Sequence, residues 1–227
     1  MKRGIIVFIL CLCHNLAFAQ VEPKFKSGSM ALLFNFAGLE NLNANSFNGG
    51  IGGKYYLSPT MAVRGGIQFV TASEDIPNNS TNGRDGEVSG TTLGLSGALE
   101  IHGGSGRISP YFGGGAAFST TSTEFKSATF TDNATQIVIK NDLTGEAING
   151  SFFRGETRFD FFALLGVEFF ILNEVSLAAE YHLSFSNSSG KDQEFSQGTT
   201  TTKSETGSTS GLGISTAGFL TLSVYLN

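Results

Sequence analysis

The chain alternates apolar and polar residues over unusually long stretches. In the clearest stretch, Phe159–Ile171, every odd-numbered residue is apolar, whereas the even-numbered residues include Asp160 and Glu168. After a tight turn at Asn173-Glu174 the alternation resumes at Val175. A period of two predicts a β-strand whose two faces meet different surroundings. Both stretches exceed the roughly 5 to 6 residues of an ordinary strand and reach the roughly 9 to 11 with which a β-strand crosses a bilayer.

The same unit recurs along the chain, and the pattern predicts eight strands. The predicted strands are Ser29–Phe36, Gly49–Leu57, Met61–Thr71, Thr91–Ile101, Ile108–Ser119, Phe159–Ile171, Val175–Ser186 and Thr216–Asn227. The facing of the fifth strand is ambiguous, because the three glycines Gly113–Gly115 interrupt its alternation.

The connections between these strands alternate in length. Short connections follow the second, fourth and sixth strands: Ser58–Thr60, His102–Arg107 and Asn173–Glu174. Longer, polar connections follow the others: Ala37–Asn48, Ala72–Gly90, Thr120–Arg158 and Asn187–Ser215. Short turns on one side and long loops on the other are the arrangement of bacterial outer-membrane barrels. We therefore predict an all-β fold, an eight-stranded antiparallel up-and-down transmembrane β-barrel with both ends on the periplasmic side.

Two of the long connections carry further patterns. The last one is so rich in Ser, Thr and Gly that we expect it to be mobile and weakly folded. The third contains a strand-like segment, Thr135–Lys140, before a turn at Asn141-Asp142. We expect that segment to extend as a hairpin whose free edge offers an extracellular partner a place to pair.

The start of the chain has the pattern of a signal peptide. Lys2 and Arg3 precede a short apolar run, Gly4–Cys13, and Ala17-Phe18-Ala19 supplies small residues at a cleavage site. The run falls short of the roughly 20 residues of a membrane-spanning helix. The prediction is a signal peptide at residues 1–19 and an exported barrel at residues 20–227. Both cysteines of the chain lie in the leader, so we expect no disulfide in the exported part.

Composition narrows the function classes. The formal net charge of −5 argues against nucleic acid as a partner, because that role requires a basic surface. Only 15% of the residues are charged, compared with about 25% in ordinary soluble domains. Beyond the predicted leader only His102 and His182 remain as histidines, with no cysteine, so we expect neither a metal site nor a cofactor.

Three segments together resemble a known family. They are Gly52-Gly53-Lys54-Tyr55-Tyr56-Leu57-Ser58-Pro59, Pro110-Tyr111-Phe112-Gly113-Gly114-Gly115 and the closing strand Leu220–Leu226. The chain resembles the small eight-stranded OmpA/OmpX-type outer-membrane barrels, including the barrel-domain proteins of Bacteroidetes envelopes. The resemblance implies location in the bacterial outer membrane, contact with its lipid and lipopolysaccharide, and insertion by the barrel-assembly machinery.

If the apolar face meets lipid, the charged side chains of the strands face the lumen. The predicted lumen network is Lys54, Arg64, Glu100, Asp160, Glu168, Glu180 and His182. Unpaired charges are costly in a narrow interior, so we expect Lys54 and Arg64 to bridge the three glutamates. Eight strands leave an interior just wide enough for side chains, whereas porin channels take about 16 to 18. We therefore expect a filled lumen and a non-enzymatic role in envelope integrity or surface contact.

Two alternatives belong to other function classes. His182-Leu183-Ser184 is similar to the His-x-Ser of outer-membrane lipid A deacylases, and a carboxylate from Glu180 or Glu194 would complete a hydrolytic triad. The second alternative is a soluble lipocalin-type barrel with an apolar ligand inside and charges outside. The weaker face of the strands carries mostly Ser, Thr and Gly with few charges, which suits a crowded lumen better than a solvated exterior.

Overall fold

The computed structural model describes residues 26–36, 46–78, 80–103, 106–142, 145–148 and 151–226. The predicted signal peptide, residues 1–19, lies outside the described residues.

The described regular structure consists of β-strands. They are β1 (Met30–Phe36), β2 (Ser46–Ser58), β3 (Met61–Ile76), β4 (Gly86–His102), β5 (Ile108–Lys126), β6 (Ile137–Lys140), β7 (Glu146–Ile148), β8 (Ser151–Phe153), β9 (Glu156–Phe170), β10 (Val175–Gly190), β11 (Gln193–Gln197), β12 (Thr200–Ser204) and β13 (Ser208–Leu226). None of the described residues belongs to a helix long and apolar enough to cross a membrane.

Eight of these strands form a closed antiparallel ring. The order around the ring is β1, β2, β3, β4, β5, β9, β10 and β13, and β13 pairs back onto β1. The all-β, antiparallel architecture predicted from the alternation is confirmed. Each ring strand overlaps one predicted segment, and β3, β4, β5, β10 and β13 extend at least four residues farther into the long connections.

The pleat of the ring strands separates two faces. On the fifth predicted strand, Ser109 and Tyr111 point inward and are buried, whereas Ile108 and Phe112 point outward, which resolves its ambiguous facing. The outward face forms an apolar surface, here called the outer belt. It contains Met30, Leu32, Ile51, Leu57, Val63, Ile67, Phe69, Leu93, Leu95, Leu99, Ile101, Ile108, Phe112, Phe159, Phe161, Leu165, Val167, Phe169, Tyr181, Leu183, Phe185 and Leu226, all exposed. On the described ring strands, no Asp, Glu, Lys or Arg interrupts this belt.

The last long connection is more ordered than its composition suggested. We expected a weakly folded segment, but it contains β11 and β12, which pair with each other as a hairpin. β11 also pairs with β6, and β6 pairs with the far end of β5, so the sheet extends sideways beyond the ring. The segment Thr135–Lys140 does extend in a hairpin, because β6 pairs with the end of β5 across the connection 127–136. The free edge expected for it is wrong, because β11 occupies the other edge of β6. Backbone pairing between distant loops supplies the order that local composition does not indicate.

A second hairpin, β7–β8, lies inside the long-loop end of the ring. Its Ile148 and Phe153 are buried against Val70 and Val88, on the inner faces of β3 and β4. The Phe153 ring lies directly over Gly90, where a Cβ atom would overlap it. The glycine thus creates the space in which the hairpin packs, and the hairpin covers this side of the ring's mouth.

Candidate functional site

A chain of ion pairs crosses the interior of the ring at its short-turn end. Lys54 Nζ lies 2.9 Å from Glu100 and 3.3 Å from Glu168. Arg64 Nη1 lies 3.0 Å from the other oxygen of Glu100, and the guanidinium donates to both oxygens of Glu180 at 2.5 and 2.7 Å. These five residues are called the interior network below. Glu100 is at the centre of the network, because its carboxylate contacts both Lys54 and Arg64.

The ring strands explain why these side chains meet. Lys54 on β2 lies opposite Arg64 on β3 in the strand register, and Ala62 on β3 lies opposite Glu100 on β4. The two cations therefore start on one wall and reach across the interior to Glu168 on β9 and Glu180 on β10. Lys54 and the three glutamates are almost completely buried, and the Arg64 side chain is 14% exposed. Such ion pairs join opposite walls of the ring, so removing one partner leaves an uncompensated buried charge.

Hydroxyl groups complete the coordination of the carboxylates. Tyr111 donates to Glu180 at 2.6 Å, Tyr225 donates to Glu168 at 2.7 Å, and Ser176 donates to Glu168 at 2.5 Å. None of these three residues was predicted from the sequence to belong to the network. The available signal was their register: Ser176, Tyr225 and Tyr111 all occupy the face opposite the apolar side chains of their strands.

A glycine makes one of these contacts possible. A Cβ atom at Gly166 would overlap the Tyr111 ring, and Gly166 lies opposite both Tyr111 and Glu180 in the strand pairing. The Tyr111 side chain lies flat over the glycine and thereby reaches the Glu180 carboxylate. The Tyr111 ring also stacks on His102, at 4.9 Å between centroids.

The two histidines each contact one carboxylate of the network. His102 Nε2 lies 3.0 Å from Glu100, and His182 Nε2 lies 2.9 Å from Glu180. The His182 ring also stacks on Phe162, with 4.7 Å between centroids and 2° between planes. His182 was among the predicted lumen residues, whereas His102 was considered only as a possible metal ligand.

Asp160 is separate from the other predicted residues. It contacts Arg158 Nη2 at 2.8 Å and accepts a hydrogen bond from Ser186. The structure therefore brings six of the seven predicted residues (Lys54, Arg64, Glu100, Glu168, Glu180 and His182) into one network and gives Asp160 a partner of its own. Arg158 was counted as a loop residue in the sequence, but β9 begins at Glu156, so its side chain lies within reach of Asp160.

Above the network lies a cavity of about 460 Å³, called the chamber below. Arg64, Glu180 and His182 form part of its lining next to the network. Many of the lining positions on β2 to β5 carry small side chains, among them Gly50, Gly52, Gly66, Ser96, Ala98 and Ala117. The cavity exists because these positions lack the large side chains that otherwise fill an eight-stranded interior.

Of the residues considered for a hydrolytic triad, Glu180, His182 and Ser184 lie near one another, whereas Glu194 lies elsewhere. Glu180 contacts His182, and Ser184 lines the same chamber two positions along β10. Within the described part of the chain, Ser184 forms no hydrogen bond with His182. Glu194 lies instead on β11, outside the ring, where hydrogen bonding to Lys203 at 2.6 Å lowers the pKa of its carboxyl group. No group of three or more His, Cys, Asp or Glu side chains among the described residues is arranged to hold a metal ion.

No protein-family model and no curated protein matches the chain. The functional assignment therefore rests on its own residues.

Proposed function

We propose that this protein is a bacterial outer-membrane β-barrel whose lumen is closed by the interior network and whose long loops form a surface outside the cell. In this proposal its role is non-enzymatic: it contributes to envelope integrity or binds extracellular partners. Membrane lipid and lipopolysaccharide surround the barrel, and the barrel-assembly machinery inserts it.

The outer belt is the observation that carries this proposal. Large exposed apolar patches on water-soluble monomers are rare, and here the apolar residues surround the whole ring. A closed ring also leaves no unpaired strand edge within the belt, which is the condition for β-structure in a hydrocarbon environment. On β9 the outward residues from Phe159 to Phe169 are apolar over a length suited to the roughly 9 to 11 residues of a spanning strand.

The interior supports the same proposal against a soluble lipocalin-type barrel. In a soluble barrel the charged residues face water outside and the apolar residues fill the centre. In this ring Lys54, Glu100, Glu168 and Glu180 are buried inside, whereas leucines, isoleucines and phenylalanines are exposed outside. This distribution, with charged residues inside and apolar residues outside, favours a barrel surrounded by lipid over one surrounded by water.

The network favours a closed lumen over a diffusion pore. Lys54 and Arg64 each span from one wall to the opposite wall, and Tyr56, Phe170 and Tyr225 pack together beside them at the short-turn end. Eight strands leave no room for a channel past such a layer. In this proposal the polar interior has a structural role, and contacts with partners are made by the loops.

The loop side presents a distinctive shape. The sheet β5–β6–β11–β12 extends beyond the ring, and its last strand β12 has exposed residues throughout, Thr200–Ser204. An exposed, polar extension of this kind suits contact with extracellular partners. The proposal therefore places β12 and the other long loops at the cell surface and the short turns in the periplasm.

The orientation can be tested with single cysteines, because the exported part of the chain contains none. Thr201→Cys on β12 and Asn173→Cys in a short turn both create exposed thiols. On intact cells, a polyethylene-glycol maleimide too large to cross the outer membrane is expected to label Thr201→Cys only. Asn173→Cys is expected to react after the outer membrane is permeabilised. Labelling of Asn173→Cys in intact cells would show that the proposed orientation is wrong.

A further inference from the structure

The chamber contrasts with the packed network beside it. Its volume of about 460 Å³ falls within the roughly 300 to 1,000 Å³ of small-molecule sites, and it is bounded on one side by Arg64, Glu180 and His182. The chamber is a concave, partly enclosed space on the loop side of the interior network. The β7–β8 hairpin packs Phe153 on Val70 and Val88, which are not among the residues that line the chamber.

The charges that line the chamber are mostly neutralised by one another. Arg64 is paired with Glu180, and Arg158 is paired with Asp160. Glu156, at the start of β9, adds one more carboxylate to the lining. An anionic ligand would therefore meet excess negative charge and, among the described lining residues, no unpaired arginine or lysine, so of an anionic and an uncharged ligand of similar size the lining favours the uncharged one.

Uncharged hydrogen-bonding groups remain free to meet such a ligand. Gln68, Ser96, Ser119 and Ser184 line the chamber, and within the described residues their side chains form no hydrogen bond with another protein group. They lie on β3, β4, β5 and β10, so donors and acceptors surround the space. Apolar contacts alternate with them: Leu33, Ala98, Ala117 and Phe162 also line the chamber.

We propose that the chamber binds a neutral, polyhydroxylated molecule the size of a hexose sugar. A sugar ring presents hydroxyl groups around its edge and C–H groups on its faces, which matches a lining of separated hydroxyls and small apolar patches. A hexose also fits the volume without displacing the ion pairs of the interior network. The small residues at Gly52, Ser96 and Ala117 would then serve to keep this space open, since larger residues would fill it.

The experiment uses the purified protein in detergent and D-glucose, D-galactose and D-mannose as probes in ligand-observed NMR titrations. At least one of these sugars is expected to bind saturably, with a dissociation constant on the order of 1 mM or lower. Gluconate, a sugar acid of similar size, is expected to bind at least about tenfold more weakly.

A neighbouring pair of alanines supplies the matched control. Ala117 lines the chamber, whereas Ala116 points to the opposite face of the same strand, opposite the exposed Phe161. Ala117→Phe is expected to weaken binding at least about tenfold, and Ala116→Phe is expected to leave it unchanged. Circular dichroism and gel mobility establish that both variants are folded. The absence of saturable binding by all three sugars, tighter binding of gluconate, or equal binding by both folded variants would each overturn the proposal. If Ala117→Phe does not fold, Ser119→Leu takes its place with the same expected loss.

Discussion

Replacing Arg64 by alanine is expected to destabilise the folded protein by about 3 to 5 kcal/mol, the usual cost of removing one partner from a buried ion pair. The guanidinium donates twice to Glu180 and also contacts Glu100. Without it, Glu180 retains, among the described residues, the hydrogen bonds from Tyr111 and His182, and both carboxylates stay buried. The measurement is urea-induced unfolding of wild type and variant, refolded in the same detergent.

Two further variants serve as controls. One removes an exposed arginine, and the other removes Arg64 together with the charge of its partner Glu180. Arg84 is exposed in the connection between β3 and β4 and donates to the carbonyl of Ala134, so Arg84→Ala is expected to change the free energy of unfolding by less than about 0.5 kcal/mol. The double variant Arg64→Met/Glu180→Gln removes both opposite charges together. It is expected to recover much of the stability lost in Arg64→Ala, because the two residues are directly coupled. Equal unfolding midpoints for Arg64→Ala, Arg84→Ala and wild type would contradict a buried, bridging Arg64.

Placing an arginine in the middle of the outer belt is expected to cost about 2 to 4 kcal/mol, because a cation at the centre of the bilayer loses its hydration. Leu165 lies midway along the apolar outward face of β9 and is 64% exposed. Leu165→Arg introduces no clash in the interior, since the side chain points away from the ring. The measurement is unfolding of the protein refolded in phospholipid vesicles.

The matched control is Ile171→Arg. Ile171 is also an exposed apolar residue, but it follows the end of β9 at the short turn, where the proposed barrel would have its membrane–water boundary. The expected cost there is about 0 to 1 kcal/mol. If the belt faced water, both substitutions would lie on a solvated surface and would change stability by less than about 0.5 kcal/mol. Equal, small effects at the two positions would therefore contradict a lipid-facing belt.

The ring strands could be predicted from the sequence because each strand has two distinct environments. Residues such as Glu168 and Glu180 face the interior while their neighbours Val167 and Tyr181 face outward, and that contrast imposes the period of two. The positions of the strand ends were less accurate. Above the belt the apolar residues of β3, β4 and β5 lie on the inward face, as Ala72, Val88 and Phe125 do, so the alternation seen lower in these strands does not continue although backbone pairing does.

The tyrosines of the network were not predicted because an aromatic ring with a hydroxyl group suits either face. Tyr111 and Tyr225 are buried and donate to carboxylates, whereas Tyr181 is exposed in the outer belt. Residue type alone does not distinguish these cases. The register of the strand does, once the neighbours of the tyrosine show which face is polar.

The loop strands depend on contacts between segments that are distant in sequence. β11 is formed where Phe195 lies opposite Ile139 of β6, more than fifty residues earlier in the chain. Likewise, the β7–β8 hairpin is held by Phe153 against Gly90 and Val88 on another strand. No local pattern of apolar residues encodes such pairings, which explains why a Ser/Thr-rich segment was expected to be weakly folded.

The position of the outer belt relative to lipid can be measured directly, because the chain contains no tryptophan. Leu165→Trp places a single fluorophore on the outward face of β9, and Phe162→Trp places one on the inward face, next to His182. Both variants are refolded in vesicles whose lipids carry bromine atoms near the bilayer centre, and their fluorescence is compared with that in unbrominated vesicles. The proposed barrel predicts strong bromine quenching of Leu165→Trp and little quenching of Phe162→Trp. Absence of quenching in Leu165→Trp, or equal quenching of the two, would contradict a membrane-spanning ring with its apolar face in lipid.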